Sequence, residues 1–184
     1  ARSDARESLE PLLSPPKNPR GDRLRTICLD PGHGGKDPGN QAGSRQEKKY
    51  TLLMAEELRR QLGHAGFKVF LTRSSDTFVE LPDRPALAKR KRADLFISLH
   101  FNAAQASARS VKGAEVYCLT PAGAPSTKSR GEGGSTSACT GNRNNDRNTF
   151  LAYELQKALT HFLDVEDRGL RRARFAVLRD ATMP

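Results

Sequence analysis

The chain has 184 residues, a length that suits one domain with a single sizeable core. Lysine and arginine number 31 against 21 aspartates and glutamates, and the formal net charge of +10 favours polyanionic partners such as nucleic acid, anionic lipid or an acidic cell-wall polymer, or simply a basic surface. No apolar run reaches the roughly 18 residues of a membrane span, and three cysteines without paired spacing exclude a disulfide framework or a structural zinc site.

The N-terminal region differs in composition from the rest of the chain. Residues 1–23 carry alternating charges and then a proline-rich stretch, which predicts a flexible tail or linker. Residues 25–30 form the first predicted strand, and this strand leads into a turn of Pro31 and several glycines that presents His33. A histidine flanked by glycine at a strand end is more often functional than a plain turn residue.

Helical and strand patterns then alternate along the chain. The predicted elements are a helix from residue 47 with apolar positions 50, 53, 54, 58 and 62 on one face, a strand at 67–72, a helix from about 82 to 92, a strand at 94–100, a strand at 114–119, a helix capped at 148 or 149, and a strand at 175–178. This order predicts an α/β fold: a single domain with a mainly parallel twisted sheet flanked by helices on both faces.

Three features of this pattern admit simple structural explanations. The basic run at 89–92 lies at the negative end of a helix dipole, which makes a nucleic-acid patch the less favoured explanation. The polar stretch at 120–148 is expected to be a structureless insert that acts as a flexible rim or lid. Cys28 is expected to be a core thiol, whereas Cys118 and Cys139 could pair.

Three side chains from distant parts of the sequence are expected to converge. His33 follows the first strand, His100 closes the strand at 94–100, and Glu47 begins the first helix, so all three belong to the edge where ligands collect in a parallel sheet. Two imidazoles and one carboxylate leave a fourth position open, as in a catalytic zinc site that polarises a carbonyl for amide or ester hydrolysis.

Each of these residues also has an ordinary structural explanation when it is taken alone. His100 could be a satisfied core histidine, and Glu47 could be a favourable charge in the first turn of a helix. His64 and His161 lie on or beside helices, away from this cluster, and are predicted to be surface residues.

Several blocks that contain these residues occur in a fixed order along the chain. They are residues 30–39 (DPGHGGKDPG), 46–48 (QEK), 71–73 (LTR), 93–103 (ADLFISLHFNA) and 167–169 (DRG). From about residue 26 to the last, the chain resembles the zinc-dependent N-acetylmuramoyl-L-alanine amidases of the bacterial AmiC type.

The resemblance implies a substrate and a metal. His33, Glu47 and His100 would bind one Zn²⁺, Asn102 is a candidate substrate-binding residue, and the enzyme would cleave the peptidoglycan amide that joins the lactyl group of N-acetylmuramic acid to L-alanine. It further implies an exported protein, periplasmic or extracellular after removal of a signal peptide, that acts as a monomer. An activator protein is a candidate partner.

In the family, a further glutamate acts as general acid/base on a strand that follows a segment like residues 181–184. We expect this glutamate after Pro184, so no catalytic residue is assigned within the chain, and residues 24–184 are expected to be a catalytic domain without its C-terminal strand and helix. Glu115 is the nearest substitute in the sequence, but its place early in a strand favours a structural role.

Two other function classes stay open at the level of the sequence. One is a catalytically inactive cell-wall binding module that retains the metal site. The other is a nucleic-acid binder, for which charge is the sole support.

Overall fold

The computed structural model describes residues 25–102, 112–127 and 137–184, so the tail predicted at 1–23 lies outside the described residues. The elements in chain order are β1 (Thr26–Pro31), β2 (Gln41–Ala42), β3 (Arg45–Gln46), α1 (Glu47–His64), β4 (Lys68–Leu71), α2 (Asp83–Arg90), β5 (Leu95–Leu99), β6 (Ala114–Leu119), a 3₁₀ helix (Thr140–Asn144), α3 (Asn145–Leu163), β7 (Asp167–Ala173) and α4 (Ala176–Arg179). They belong to two compact units, mainly residues 23–106 and 107–182. Within the described ranges, no helix combines the length and the apolar character needed to cross a membrane.

The first unit is built around a three-stranded parallel sheet. β1 lies in the centre, between β4 and β5. After Thr26 every residue of β1 is buried, because the central strand is covered by its neighbours and by α1, whose Ala55 forms one core cluster with Ile27 and Leu29 of the strand. The carboxylate of Asp94 accepts the backbone N–H groups of Arg25 and Thr26, which anchors the start of the strand.

The buried face of α1 differs from the predicted one. Leu58 and Leu62 pack against the core as expected. The predicted apolar positions Tyr50, Leu53 and Met54 are instead 40%, 52% and 40% exposed. The buried residues of the first turns are Glu47, Thr51 and Ala55. The apolar pattern was misleading there because the first two turns bury polar groups, which serve the loop after β1.

The second unit contains a parallel pair, β6 and β7, with α3 packed against both strands. The prediction of a strand at 175–178 is wrong. Those residues enter α4, where the N–H groups of Leu178 and Arg179 donate to the carbonyl of Phe175. The last strand is instead β7. Its sequence DRGLRRA shows no apolar alternation, and ion pairs of Arg168 and Arg171 with Glu115 help to hold it beside β6.

The prediction of a mainly parallel α/β fold is confirmed. All pairings among the longer strands β1, β4, β5, β6 and β7 are parallel, and the described antiparallel pair is the two-residue hairpin of β2 and β3. Strands of two residues carry no readable hydrophobic period, so the hairpin could not be predicted from the sequence.

The C-terminal end of the predicted structureless insert is helical. The 3₁₀ helix leads directly into α3, which begins at Asn145 with Asn144 at the cap position, rather than being capped at 148 or 149. Any rim or lid is therefore shorter than predicted, and its residues 128–136 lie outside the described part. Cys118 and Cys139 are both free, and therefore do not form the disulfide that the sequence left open.

The thiols differ in burial, and this predicts a difference in reactivity. Cys28 is fully buried in β1, and burial, with a contribution from Asp30, raises the pKa of its thiol to about 12. Burial also raises the pKa of Cys118, whereas Cys139 is partly exposed. Because the thiolate is the nucleophile, we expect one thiol per native protein to react quickly with Ellman's reagent at pH 8 and the other two only after unfolding. Fast reaction of three thiols in the folded protein would contradict this burial.

Candidate metal centre

The end of the central parallel pair brings two histidines together. Pro31 at the end of β1 pairs with Leu99 of β5, and the N–H of Gly32 donates to the carbonyl of Leu99 at 3.0 Å. Gly32 therefore lies beside His100, and a Cβ atom at Gly32 would stand 2.3 Å from Cε1 of the His100 ring. A glycine is required at this position, since it leaves the space that the imidazole occupies, and His33 follows directly.

The side chains of His33, Glu47 and His100 meet at this edge. Nδ1 of His100 lies 3.1 Å from Nε2 of His33 and 3.1 Å from Oε1 of Glu47, and Nε2 of His33 lies 3.2 Å from Oε2 of Glu47. Four ligands around zinc at 2.0–2.1 Å stand about 3.3 Å apart in a tetrahedron. With one carboxylate oxygen taken from Glu47, the three ligand atoms all lie within 4.8 Å of one another, a grouping that can hold one zinc ion and leaves one coordination position over.

The neighbouring carboxylate of Asp37 sets the tautomer of His33. Oδ2 of Asp37 lies 2.8 Å from Nδ1 of His33 and accepts the proton of that nitrogen. The lone pair of the ring is then on Nε2, which faces Glu47 and His100. A histidine held in this way by a carboxylate is the usual arrangement behind a metal-binding imidazole.

Glu47 is an ionised carboxylate with 4% of its surface exposed. Oε1 accepts the backbone N–H of Phe101 at 2.7 Å, and Oε2 accepts that of Asn40 at 2.9 Å. Burial alone would raise the pKa of Glu47, but hydrogen bonds with His100, His33 and these two amides outweigh it and hold the pKa far below its ordinary value. In turn, the hydrogen bond with Glu47 raises the pKa of His33. The site therefore carries negative charge that favours a cation.

Two supporting residues were missed from the sequence. Asp37 lies four residues after His33 within the glycine-rich block, and a carboxylate so near a predicted ligand was the available signal. Asn40 holds Glu47 through its N–H group and donates from Nδ2 to the carbonyl of Phe101 at 2.7 Å. No sequence signal distinguishes Asn40 from an ordinary turn residue, because its contacts join separate loops.

The other candidate residues lie apart from this group. Asn102 is exposed two residues after His100, and its role toward substrate stays a prediction. Glu115 forms ion pairs with Arg171 at 3.0 Å and Arg168 at 3.3 Å, which is the kind of structural role that the sequence favoured. His64 and His161 are exposed, as predicted.

Two glycines with the same backbone conformation provide a test of how tightly the site is packed. Gly39 (φ 65°) would place a Cβ atom 2.5 Å from Cδ2 of His33 and 2.8 Å from Cβ of Glu47, whereas Gly43 (φ 61°) has open space around it. We expect Gly39→Ala to weaken Zn²⁺ binding by about tenfold or more, because the ligands must move. Gly43→Ala carries the backbone strain alone, about 1 kcal/mol, with unchanged Zn²⁺ affinity. Titration against a competing chelator measures the difference, and equal affinities would contradict the packing argument.

Comparison with known proteins identifies a family. The family described as N-acetylmuramoyl-L-alanine amidase matches residues 27–184. The amidase AmiC of Neisseria meningitidis is 41% identical over 116 residues, which cover 62% of this chain and 27% of that protein. The sporulation-specific N-acetylmuramoyl-L-alanine amidase of Bacillus subtilis is 34% identical over 160 residues, 86% of this chain and 52% of that protein. The chain thus spans about half or less of the length of these relatives.

A solved structure shows the same fold. AmiC2 of Nostoc punctiforme, an N-acetylmuramoyl-L-alanine amidase, superposes with a TM-score of 0.68 at 31% identity, over 89% of this chain and 77% of that one. The likeness confirms a single α/β domain with a mainly parallel sheet. The match over residues 27–184, together with this fold, establishes that the chain belongs to the N-acetylmuramoyl-L-alanine amidase family.

Proposed function

We propose that this protein is a zinc-dependent peptidoglycan hydrolase that cleaves the amide between the lactyl group of N-acetylmuramic acid and the L-alanine of the stem peptide. The observation that supports it best is the meeting of His33, Glu47 and His100: the two imidazole nitrogens lie 3.1 Å apart, and each lies 3.1 to 3.2 Å from one of the two carboxylate oxygens of Glu47. Family membership adds the substrate class.

The donor set suits zinc chemically. Zinc is commonly bound by imidazole nitrogen and carboxylate oxygen, and three protein ligands are typical of catalytic sites. His33, Glu47 and His100 would hold the ion. When bound, Zn²⁺ polarises a carbonyl and lowers the pKa of a coordinated water to near 7.

The residues of this chain have separate tasks in the proposed reaction. Asp37 keeps the proton on Nδ1 of His33, so that Nε2 is free to bind the ion. The backbone N–H groups of Asn40 and Phe101 orient the carboxylate of Glu47. Asn102, exposed beside this edge, is proposed to contact the substrate. None of the described residues is proposed as the general acid/base, and Glu115 is engaged by two arginines.

The proposal extends to the setting in which the protein works. Peptidoglycan lies outside the cytoplasmic membrane, so we propose a periplasmic or extracellular location after export. The basic surface, with a formal charge of +10, suits an acidic cell-wall polymer. We propose a monomer, with an activator protein as a candidate partner.

Digestion of purified sacculi tests the activity. The full-length protein, loaded with one equivalent of Zn²⁺, is expected to release new L-alanine amino termini, which dinitrophenyl labelling detects. Removing the metal with a chelator should stop the release, and restoring Zn²⁺ should recover it. A protein that holds one Zn²⁺ and binds sacculi without releasing amino termini would instead be a cell-wall binding module. A protein that binds no zinc would contradict the proposal outright.

A further inference from the structure

Two arginines lie in the interior of the metal-site unit. Arg73 and Arg84 are 4% and 2% exposed. A buried guanidinium carries five N–H donors, and each needs an acceptor because burial of an unpaired donor is costly. The acceptors that these arginines use are concentrated on the loop that follows β1.

Arg73 holds the first two carbonyls of this loop. Its Nε donates to the carbonyl of Pro31 at 3.0 Å, and its Nη2 donates to the carbonyl of Gly32 at 2.9 Å. The same Nη2 lies 2.7 Å from the carbonyl of Lys48 and 3.1 Å from Oγ1 of Thr51 in the first turns of α1. Arg73 therefore ties the loop to the helix that begins with Glu47.

Arg84 holds the carbonyls on either side of Gly32, where β1 passes into the loop. Its Nη1 donates to the carbonyl of Pro31 at 3.2 Å, and its Nη2 donates to the carbonyl of His33 at 3.2 Å. Nη1 also donates to Oδ1 of Asp30 at 2.9 Å, and Nε donates to the carbonyl of Val79 at 3.1 Å. Three consecutive carbonyls, those of Pro31, Gly32 and His33, are thus fixed by the two arginines, and we name this arrangement the carbonyl clamp.

The clamp acts on a residue with an unusual backbone. His33 has φ 63°, in the left-handed region that residues with a side chain seldom adopt. Such a conformation persists where the surrounding structure holds it in place. The carbonyl before the His33 Cα is that of Gly32, held by Arg73, and the one after it is that of His33, held by Arg84. Fixing both sets the direction in which the imidazole projects from the backbone.

Asp30 orients Arg84 and balances its charge. The side chain of Asp30 is fully buried, and its Oδ1 accepts from Thr72 at 2.5 Å as well as from Arg84. Its Oδ2 accepts from the hydroxyl of Ser98 at 2.7 Å. With both oxygens engaged, the carboxylate has a fixed direction, and so has the guanidinium that it binds.

We propose that Arg84, oriented by Asp30, is a positioning residue for the metal ligand His33: its planar guanidinium fixes the Pro31 and His33 carbonyls and thereby directs Nε2 of His33 toward Glu47 and His100. The inference rests on the metal-binding function proposed above. Lysine cannot replace the arginine here, because an ammonium is a point charge without the flat fork of donors.

Zinc affinity in matched variants tests the proposal. Zn²⁺ is titrated against a chromophoric chelator in the wild-type protein, in Arg84→Lys, in the double variant Asp30→Asn/Arg84→Met, and in Arg90→Met, whose arginine is exposed on the same helix. We expect Arg84→Lys and the double variant to bind Zn²⁺ about 10 to 100 times more weakly than wild type. Arg90→Met should bind like wild type.

The double variant separates positioning from stability. It removes both members of the buried pair, so it leaves no unpaired charge, and replacing a buried pair as a whole is often neutral for folding. Methionine leaves the carbonyls of Val79 and His33 without the Arg84 donors, so we expect a urea midpoint somewhat below that of wild type but above that of Asp30→Ala, while the zinc affinity stays low. Arg84→Lys keeps the positive charge beside Asp30 and supplies the same comparison should the double variant not fold.

A spectroscopic measurement adds a readout that a purely structural role would not change. Co²⁺ is substituted for Zn²⁺, and the intensity of its visible absorption reports the coordination geometry. We expect altered intensity in both Arg84 variants and an unchanged spectrum in Arg90→Met. Folded Arg84 variants with wild-type Zn²⁺ affinity and an unchanged Co²⁺ spectrum would overturn the clamp and leave the proposed function standing. A wild-type protein that binds no Zn²⁺ would overturn both.

Discussion

Replacing His33 with alanine in the full-length protein is expected to reduce zinc binding to a small fraction of one equivalent and to reduce the release of L-alanine amino termini from sacculi to background. His33 supplies one of three ligands, since its Nε2 lies 3.1 Å from Nδ1 of His100 and 3.2 Å from Oε2 of Glu47, and the two remaining ligands would hold zinc weakly. Elemental analysis after dialysis against buffer measures the metal, and end-group labelling measures the hydrolysis.

His64→Ala is the matched control for this experiment. His64 is the last residue of α1 and is exposed, so its removal should change neither the metal content nor the hydrolysis. A His33→Ala protein that retained one equivalent of zinc with undiminished affinity would remove His33 from the ligand set. Loss of zinc in His64→Ala but not in His33→Ala would show that the metal is bound at the exposed end of α1.

Replacing Asp30 with alanine is expected to lower the free energy of unfolding by about 3–5 kcal/mol, because breaking a buried pair leaves an uncompensated charge. That charge is the guanidinium of Arg84, which donates to Oδ1 of Asp30 at 2.9 Å. The hydroxyls of Thr72 and Ser98 lose their acceptor in the same change. Urea unfolding followed by far-ultraviolet circular dichroism measures the difference.

Asp83→Ala provides the comparison for Asp30→Ala. Asp83 is an exposed carboxylate in the first turn of α2, where removing a favourable helix-dipole charge costs at most about 1 kcal/mol. If Asp30→Ala unfolded at the same urea concentration as Asp83→Ala, the buried pair would not be the stabilising element that its geometry indicates.

The meeting of His33, Glu47 and His100 could be predicted from the sequence for a topological reason. In a parallel sheet, strand ends and helix starts share one edge, so a histidine after one strand, a histidine after its neighbour and a glutamate that opens a helix must come close. The apolar run of residues 94–100 identified the neighbouring strand, and its β5 does pair with β1.

The supporting residues could not be predicted in the same way. Arginine is mostly exposed in proteins, so nothing in the sequence around Arg73 or Arg84 indicates burial. The two arginines supply donors to backbone carbonyls that have no partner within the loop. Which carbonyls lack a partner is visible only in the three-dimensional structure. The exposed Tyr50 and the buried Thr51 of α1 show the same limit, since the buried face there follows hydrogen bonding to Gly32 rather than hydrophobicity.

β7 illustrates a second kind of limit. Its charged sequence gave no strand period, and it is held by hydrogen bonds to β6 and by ion pairs with Glu115. The hydrophobic segment at 175–178 was the more obvious strand from composition. It forms a single helical turn instead. Four residues of β-type are too few to predict a strand, because β-propensity depends on the surrounding structure.

The three proposed metal ligands and their hydrogen-bonding partners all belong to the unit of residues 23–106. A ligand that binds only the folded state stabilises what it binds, by about 4 kcal/mol at a thousandfold excess over the dissociation constant. Zinc would therefore strengthen one unit and leave the intrinsic stability of residues 107–182 as it was. We therefore expect added Zn²⁺ to protect residues 23–106 from proteolysis more than residues 107–182.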